Sequence, residues 1–429
     1  MTDNYYGNIG EDGFAKLPDL LKRFLSYTRW ETTSDPSSGK APSTEAQRLF
    51  AEHLVDEFMA AGASEAAITP EGIVMAGLPA TPGCEAAPAI GFIAHMDTSP
   101  EAPGRDVKWQ IVHYQGGDIE LNREKGIALR LERFPEVAKY AGDDLVVTDG
   151  TTLLGADDKA GVAVLVELVR WFSARPDVPH ARLCFAVTPD EEIGHGADHF
   201  DPEAFGADYA YTIDGGEAGG LDSETFNAAM ASVRCRGLNV HPGSAKGKMM
   251  NAIRIAEDFL SRFPADETPE TTEMYEGFFH PVHIEGGVGG CRIAMLIRDH
   301  SRERFEARKA EVRRIAAEVC RDWGEGAVEV EIEDQYRNLI EYLKDAPKVL
   351  ELAREAIRRC GLTLVELPVR GGTDGCVISS KGLPTANLFT GGLNFHGVYE
   401  CLPVKSLAAS FDVARTLCEM SAAVKSIKD

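Results

Sequence analysis

Apolar residues follow two rhythms along this chain. Four short runs, AIGFIA (89–94), LVVT (145–148), RLCFAV (182–187) and YAYTI (209–213), are almost continuously apolar, and each stops at charged residues or glycine. Runs of that length predict strands buried on both faces, and we assign all four to one sheet. Between them, residues 158–174 are apolar on most faces, as expected of a helix lying against such a sheet. Residues 44–60 place Leu49, Phe50, Leu54, Val55, Phe58 and Met59 at helical spacing behind Thr44 and Gln47, which stand in capping-box register. They predict an amphipathic surface helix, and the first half of the chain reads as α/β.

From about residue 225 the rhythm changes. Strand (226–240), helix (249–262), two strands (280–285 and 291–298), helix (302–322) and strand (327–333) follow in the βαββαβ order of a ferredoxin-like domain. The last strand alternates Val328, Val330 and Ile332 with Glu329, Glu331 and Glu333, so one face is buried and the other wet. A sheet covered on one side suits a lid or dimerisation module. Beyond residue 334 the earlier pattern resumes, with a helix near 345–360, the run ANLFT (386–390) and a closing helix from about 404. The expected organisation is a large α/β domain in two parts, 1–224 and 335–429, interrupted by an inserted α+β domain, 225–334.

Length agrees with this division, because 429 residues exceed the range in which one core keeps growing, roughly 250 to 300 residues. A formal charge of −24 disfavours nucleic acid and anionic membranes as partners. The N-terminal stretch MTDNYYGNIGEDGF is acidic and polar where a secretion signal needs a basic start and an apolar centre, so the expected compartment is the cytoplasm. Nine cysteines scattered from Cys84 to Cys418 without a CxxC pair fit reduced thiols, so a metal here would have to use histidine and carboxylate ligands.

Such groups gather at the ends of the apolar runs. AIGFIA leads into His95 and Asp97, which period-two geometry sends to the same side of the chain. TDGTTLLGADDKAG (148–161) sets Asp157 and Asp158 at a helix start, TPDEEIG (188–194) supplies Glu191 and Glu192, Asp214 closes YAYTI, and His396 follows ANLFT. Taken singly, each has a plain structural explanation: a strand cap, a helix N-cap, a solvated turn. Together they crowd the C-terminal ends of strands, where open α/β sheets bind ligands. His195 and His199 make an i, i+4 pair, but the acidic pair precedes them in EExxH order, not the HExxH order of a helical zinc motif.

HMDTSP, TDGTTLLGADDKAG, TPDEEIG, YTIDGGE, HPGSAKGKMMNA, RGGTDG and NFHGVYE occur in this order, and on them the chain resembles the tripeptide-cleaving aminopeptidases of the M20 metallopeptidase family over nearly its whole length. The resemblance implies a zinc-peptidase catalytic domain with a mixed central sheet and a ferredoxin-like lid or dimerisation domain. It implies two zinc ions per chain, which cobalt or manganese could replace. His95 and Asp214 would hold one ion, Glu192 and His396 the other, and Asp157 would bridge them. Asp97 would support His95, and Glu191 would be the general base. His241, Asn251 and Arg370 would bind substrate, with Arg298 ranked behind Arg370 as an anion binder. Short peptides, tripeptides above all, are the implied substrates, and a homodimer through the lid is the implied assembly. The same cluster would equally serve a dipeptidase, a carboxypeptidase or an N-acyl-amino-acid deacylase. A non-catalytic relative would be expected to have lost some of these groups.

Overall fold

The computed structural model describes residues 5–428. The chain forms two compact units, one made of Met1–Ser223, Leu343–Glu366 and Thr373–Asp429, the other of Glu224–Tyr342 and Leu367–Gly372. The second unit thus runs eight residues beyond the boundary expected at 334, and it also takes the short segment that carries Arg370.

A seven-stranded mixed sheet organises the first unit. Its middle is four parallel strands in the order Leu183–Thr188, Ile90–His95, Tyr209–Gly215 and Thr385–Phe389. Antiparallel strands flank them: Val74–Leu78 and Glu65–Ile68 at one side, Leu221–Asp222 at the other. Parallel strands need covering on both faces, which explains why their sequences are almost unbroken apolar runs. Every residue of Ile90–His95, Leu183–Thr188 and Thr385–Phe389 is buried. The helix Ala156–Ser173 is buried over nearly all its length, matching its apolar composition.

Three expectations are corrected. LVVT lies in the strand Asp143–Thr148, which pairs with Trp109–Tyr114 and Cys401–Pro403 in a separate three-stranded sheet. Apolar content reports burial, not the identity of the pairing strand. The helix Glu45–Ala61 forms, but Leu49 and Met59 are 49% and 48% exposed, and the buried stripe is Gln47, Phe50, Ala51, Leu54 and Phe58. The capping box does not form either: Thr44 makes no side-chain cap, and the amide of Gln47 turns inward to Asp190 Oδ1 at 2.7 Å.

The second unit is a four-stranded antiparallel sheet in the order Phe278–Gly287, Gly290–Asp299, Asn227–Arg236, Val328–Tyr336. Ile255 and Phe259 of Ala252–Ser261, with Val312 and Ile315 of Arg302–Trp323, pack against Val233, Ile293, Met295 and Ile297 of the sheet. Glu329, Glu331 and Glu333 are exposed, as the alternation predicts. Among the described residues no helix is long and apolar enough to cross a membrane.

Candidate metal centre

The four central strands run parallel, so their C-terminal ends meet on one edge. That edge receives His95 and Asp97 from the first run, Glu191 and Glu192 just beyond Thr188, Asp214 from the third strand, and His396 from the loop after Phe389. Asp157 comes from the turn that enters Ala156–Ser173, where its backbone departs from helical angles (ψ 106°).

The arrangement is symmetric about Asp157. Its Oδ1 lies 2.9 Å from His95 Nε2 and its Oδ2 lies 3.4 Å from His396 Nε2. Each imidazole has a further carboxylate of its own: Asp214 Oδ1 is 3.3 Å from His95 Nε2, and Glu192 Oε2 is 2.8 Å from His396 Nε2. Glu191, His95 and Asp214 can each offer a donor atom within a 4.8 Å cluster, as can His95, Asp157 and Glu192. Among the described residues these are the groups able to hold a metal ion, and His195 and His199 are not in either. His195 lies in a turn, with its Nδ1 2.7 Å from Asp198 Oδ2.

Electrostatics says what belongs between these groups. Hydrogen bonds to Asp157 and Glu192 push His396 up to about 11. Burial works to lower His95, yet Asp214, Asp157 and Asp97 together hold it well above its usual value. Burial raises Glu191 far above the ordinary carboxylate range, with Asp214, Asp374 and Glu192 adding to the effect and His95 opposing it. The carboxylates thus favour positive charge at the two Nε2 positions. Glu192 Oε1 is buried with no hydrogen-bond partner, an acceptor that such a packed site does not ordinarily leave idle. Two imidazoles and hard carboxylates sharing one bridging residue fit a pair of divalent cations.

Asp97 sits beside His95 and braces the acidic turn. It is fully buried, with Oδ1 3.3 Å from His95 Nδ1. Its two oxygens also accept the backbone N–H of Glu191 (3.0 Å) and Glu192 (3.2 Å), fixing the turn that carries the acidic pair. Sequence reasoning missed other residues that brace this turn. Asp190 accepts from Ser43 N–H and the Gln47 amide, each at 2.7 Å. Asp374 accepts from Thr188 Oγ1 at 2.8 Å, and a Cβ at Gly196 would lie 2.5 Å from its carboxylate, so a side chain there would have to displace it. Glu101 Oε2 stands 3.3 Å from His396 Nδ1, and Glu400 binds the backbone leading to Asp157. No local signal marks either glutamate, although Glu400 sits inside the NFHGVYE motif.

The structure therefore brings together His95, Asp97, Asp157, Glu191, Glu192, Asp214 and His396. His241, Asn251 and Arg370 belong to the second unit. His241 is exposed, and its Nδ1 accepts the N–H of Gly243 at 3.1 Å. Asn251 caps the helix Ala252–Ser261 by accepting from Ile253 N–H at 3.0 Å. Arg370 donates to Met274 O (3.2 Å), Glu276 O (2.8 Å) and Thr272 Oγ1 (2.6 Å), with its guanidinium over the rings of Phe226 and Phe278. Arg298 lies over Tyr336 and donates to Gln335, and it forms no ion pair among the described residues.

A carboxylate-bridged pair of imidazoles at the ends of parallel strands, beside a further glutamate, fits a metallohydrolase, and the chain belongs to the peptidase family M20/M25/M40, whose model matches residues 146–420. Within that family it is similar to peptidase T of Parabacteroides distasonis, with 47% identity over 403 residues that cover 94% of this chain and 99% of the relative. Aminopeptidase PepT from Bacillus cereus ATCC 10987 has the same fold at a TM-score of 0.73 and 26% identity, covering 94% of this chain and 98% of that one. The Bacillus subtilis protein YXEP, described as a dinuclear metal binding peptidase of the M20 family, shares the fold at a TM-score of 0.63 and 13% identity, over 94% of this chain and 97% of its own.

Proposed function

We propose that this chain is a cytosolic, metal-dependent aminopeptidase that removes the N-terminal residue from short peptides, tripeptides above all. The observation that carries the reading is Asp157, whose two oxygens face two imidazoles that each have a second carboxylate of their own. Similarity to peptidase T over nearly the whole chain supports the choice of substrate. Nine cysteines scattered without a CxxC pair suit a reducing compartment.

His95, Asp214 and Asp157 would hold one cation, and His396, Glu192 and Asp157 the other. Zinc is our choice for both, given the donor types, with cobalt or manganese as substitutes. When bound there, the metal acidifies water toward a pKa of ~7 and polarises the scissile carbonyl. Glu191 takes a proton from the attacking water and returns it to the nitrogen of the leaving amine. Asp97 keeps the Glu191 turn and the His95 ring in register while that proton moves. The inserted unit would act as lid and dimerisation domain, with His241 supporting the developing oxyanion. Asn251 and Arg370 would bind the peptide. Three of the five guanidinium donors of Arg370 are committed to Thr272, Met274 and Glu276, so Arg298, which has no carboxylate partner among the described residues, is the alternative anchor for the peptide's C-terminal carboxylate.

The test is a panel of free, N-acetylated and C-terminally amidated di-, tri- and tetrapeptides, assayed before and after metal removal. Free tripeptides should be cleaved best, chelation should abolish turnover, and purified protein should hold about two divalent ions per chain. Efficient cleavage of an N-acetylated tripeptide would overturn the aminopeptidase reading in favour of a deacylase or carboxypeptidase.

A further inference from the structure

Glu400 follows His396 by four residues in the same loop and is 2% exposed. Its carboxylate is committed wholly to the backbone that presents Asp157. Oε2 accepts the N–H of Leu154 (2.7 Å) and Gly155 (2.8 Å), and Oε1 accepts those of Ala156 (2.7 Å) and Asp157 (3.1 Å). A helix start is ordinarily satisfied by one side chain accepting one or two N–H groups from within its own first turn. Here four consecutive donors converge on a residue more than 240 positions away.

The loop that carries Glu400 is itself closed. Leu393 and Cys401 exchange both backbone hydrogen bonds, at 2.9 and 3.0 Å. Asn394 donates its side-chain amide to Tyr399 O (3.2 Å), and Glu400 N–H donates to Gly397 O (3.2 Å). His396 adopts φ +62°, an uncommon conformation for a residue with a side chain, which this closure maintains. His396 and Glu400 are therefore held in one closed loop, and Glu400 is bonded to the segment of Asp157. His95 and Asp214 stand on neighbouring strands of the central sheet, and of the groups at that position only Asp157 is held by Glu400 directly.

We infer that Glu400 is a positioning residue for the metal pair: it fastens the His396 loop to the Asp157 segment and so sets the second cation position, bounded by His396, Glu192 and Asp157, relative to the first. The inference rests on the two-metal reading above. Its loss should separate two affinities that a general loss of stability would lower together.

The experiment titrates metal-stripped wild type, Glu400→Gln and Glu400→Asp with zinc by calorimetry and with cobalt by visible absorption, alongside the melting temperature of each stripped protein. Glu400→Gln preserves shape but turns one acceptor into a donor that faces two N–H groups. It should weaken the second equivalent, whose His396 and Asp157 both depend on Glu400, by about 10- to 100-fold, the usual effect of removing a residue that orients metal ligands, and the first, which shares only Asp157, by less. The cobalt spectrum should change most for the second equivalent, and excess metal should restore turnover. Glu400→Asp keeps both oxygens and should recover part of the second affinity. If Glu400→Gln binds both equivalents normally, or loses both in proportion to a lowered melting temperature, the inference is wrong and Glu400 is only structural. Failure of both variants to fold would likewise make Glu400 a purely structural residue, and Glu400→Asp alone decides if only Glu400→Gln fails. A wild type that takes up one equivalent overturns the two-metal reading itself, and this inference with it.

Discussion

Replacing Asp97 with asparagine separates two roles that the geometry assigns to one carboxylate. In the wild type, Oδ1 and Oδ2 each accept a backbone N–H, from Glu191 at 3.0 Å and Glu192 at 3.2 Å, and Oδ1 also lies 3.3 Å from His95 Nδ1. Asparagine fits the same space with one acceptor and one donor, so one of the two N–H groups loses its partner, at a cost of ~1–3 kcal/mol. The variant also removes the negative charge beside His95, which should weaken metal binding by about 10- to 100-fold, or ~1.4–2.7 kcal/mol. Urea unfolding of metal-stripped protein reads the first effect and calorimetric titration with zinc reads the second. Asp97→Ala leaves both N–H groups without partners, so its loss in the stripped protein should be about twice as large while its metal deficit stays similar. Should Asp97→Asn destabilise the stripped protein yet bind zinc like wild type, Asp97 braces the acidic turn and does nothing for His95. If neither quantity moves, both assignments are refuted.

Two further substitutions test other parts of the account. Glu191→Gln should retain its metal by elemental analysis and lose about 10²- to 10⁴-fold in kcat, and a near-normal kcat would remove Glu191 from the role of base. Asp222, away from the metal centre, has its carboxyl raised from 3.8 to about 6, chiefly by burial and against the pull of the Asn387 amide at 2.7 Å. A carboxylate raised on folding carries no penalty below its unfolded pKa and a full one above its folded pKa. Asp222 should therefore cost stability progressively as pH rises from about 4 to 6, by at most about 3 kcal/mol. Asp222→Asn can still accept from Asn387, so its advantage over wild type in urea unfolding should be near zero at pH 4 and level off above about 6.5. An advantage that does not vary with pH would show that ionisation of Asp222 is not its source.

Much of the candidate metal centre is readable from the chain because its proposed ligands sit at positions that local pattern identifies. A run such as AIGFIA has to be a buried strand, and a polar group directly beyond it has to emerge at a sheet edge. That reasoning, together with family resemblance, points to His95, Asp157, Glu192, Asp214 and His396, and the fold brings all of them together. The order of the inserted unit is readable for the same reason, since helical and strand periods are local properties of sequence.

What holds those ligands in place is not readable. Glu400 lies more than 240 residues from the N–H groups it accepts, and Gln47 lies 143 residues from Asp190. Gln47 resembles half of a capping box because its spacing satisfies a local rule, but a buried carboxylate needs hydrogen-bond donors, and the fold brings this amide to it. LVVT reads correctly as buried and wrongly as part of the central sheet, and Arg370 falls by number within the large domain although its segment belongs to the other unit. Periodicity and propensity act over a few residues and determine which elements form and where chemistry can emerge. Pairing partners, and the side chains that satisfy buried backbone groups, depend on which distant segments the topology makes neighbours, and only the tertiary structure decides that.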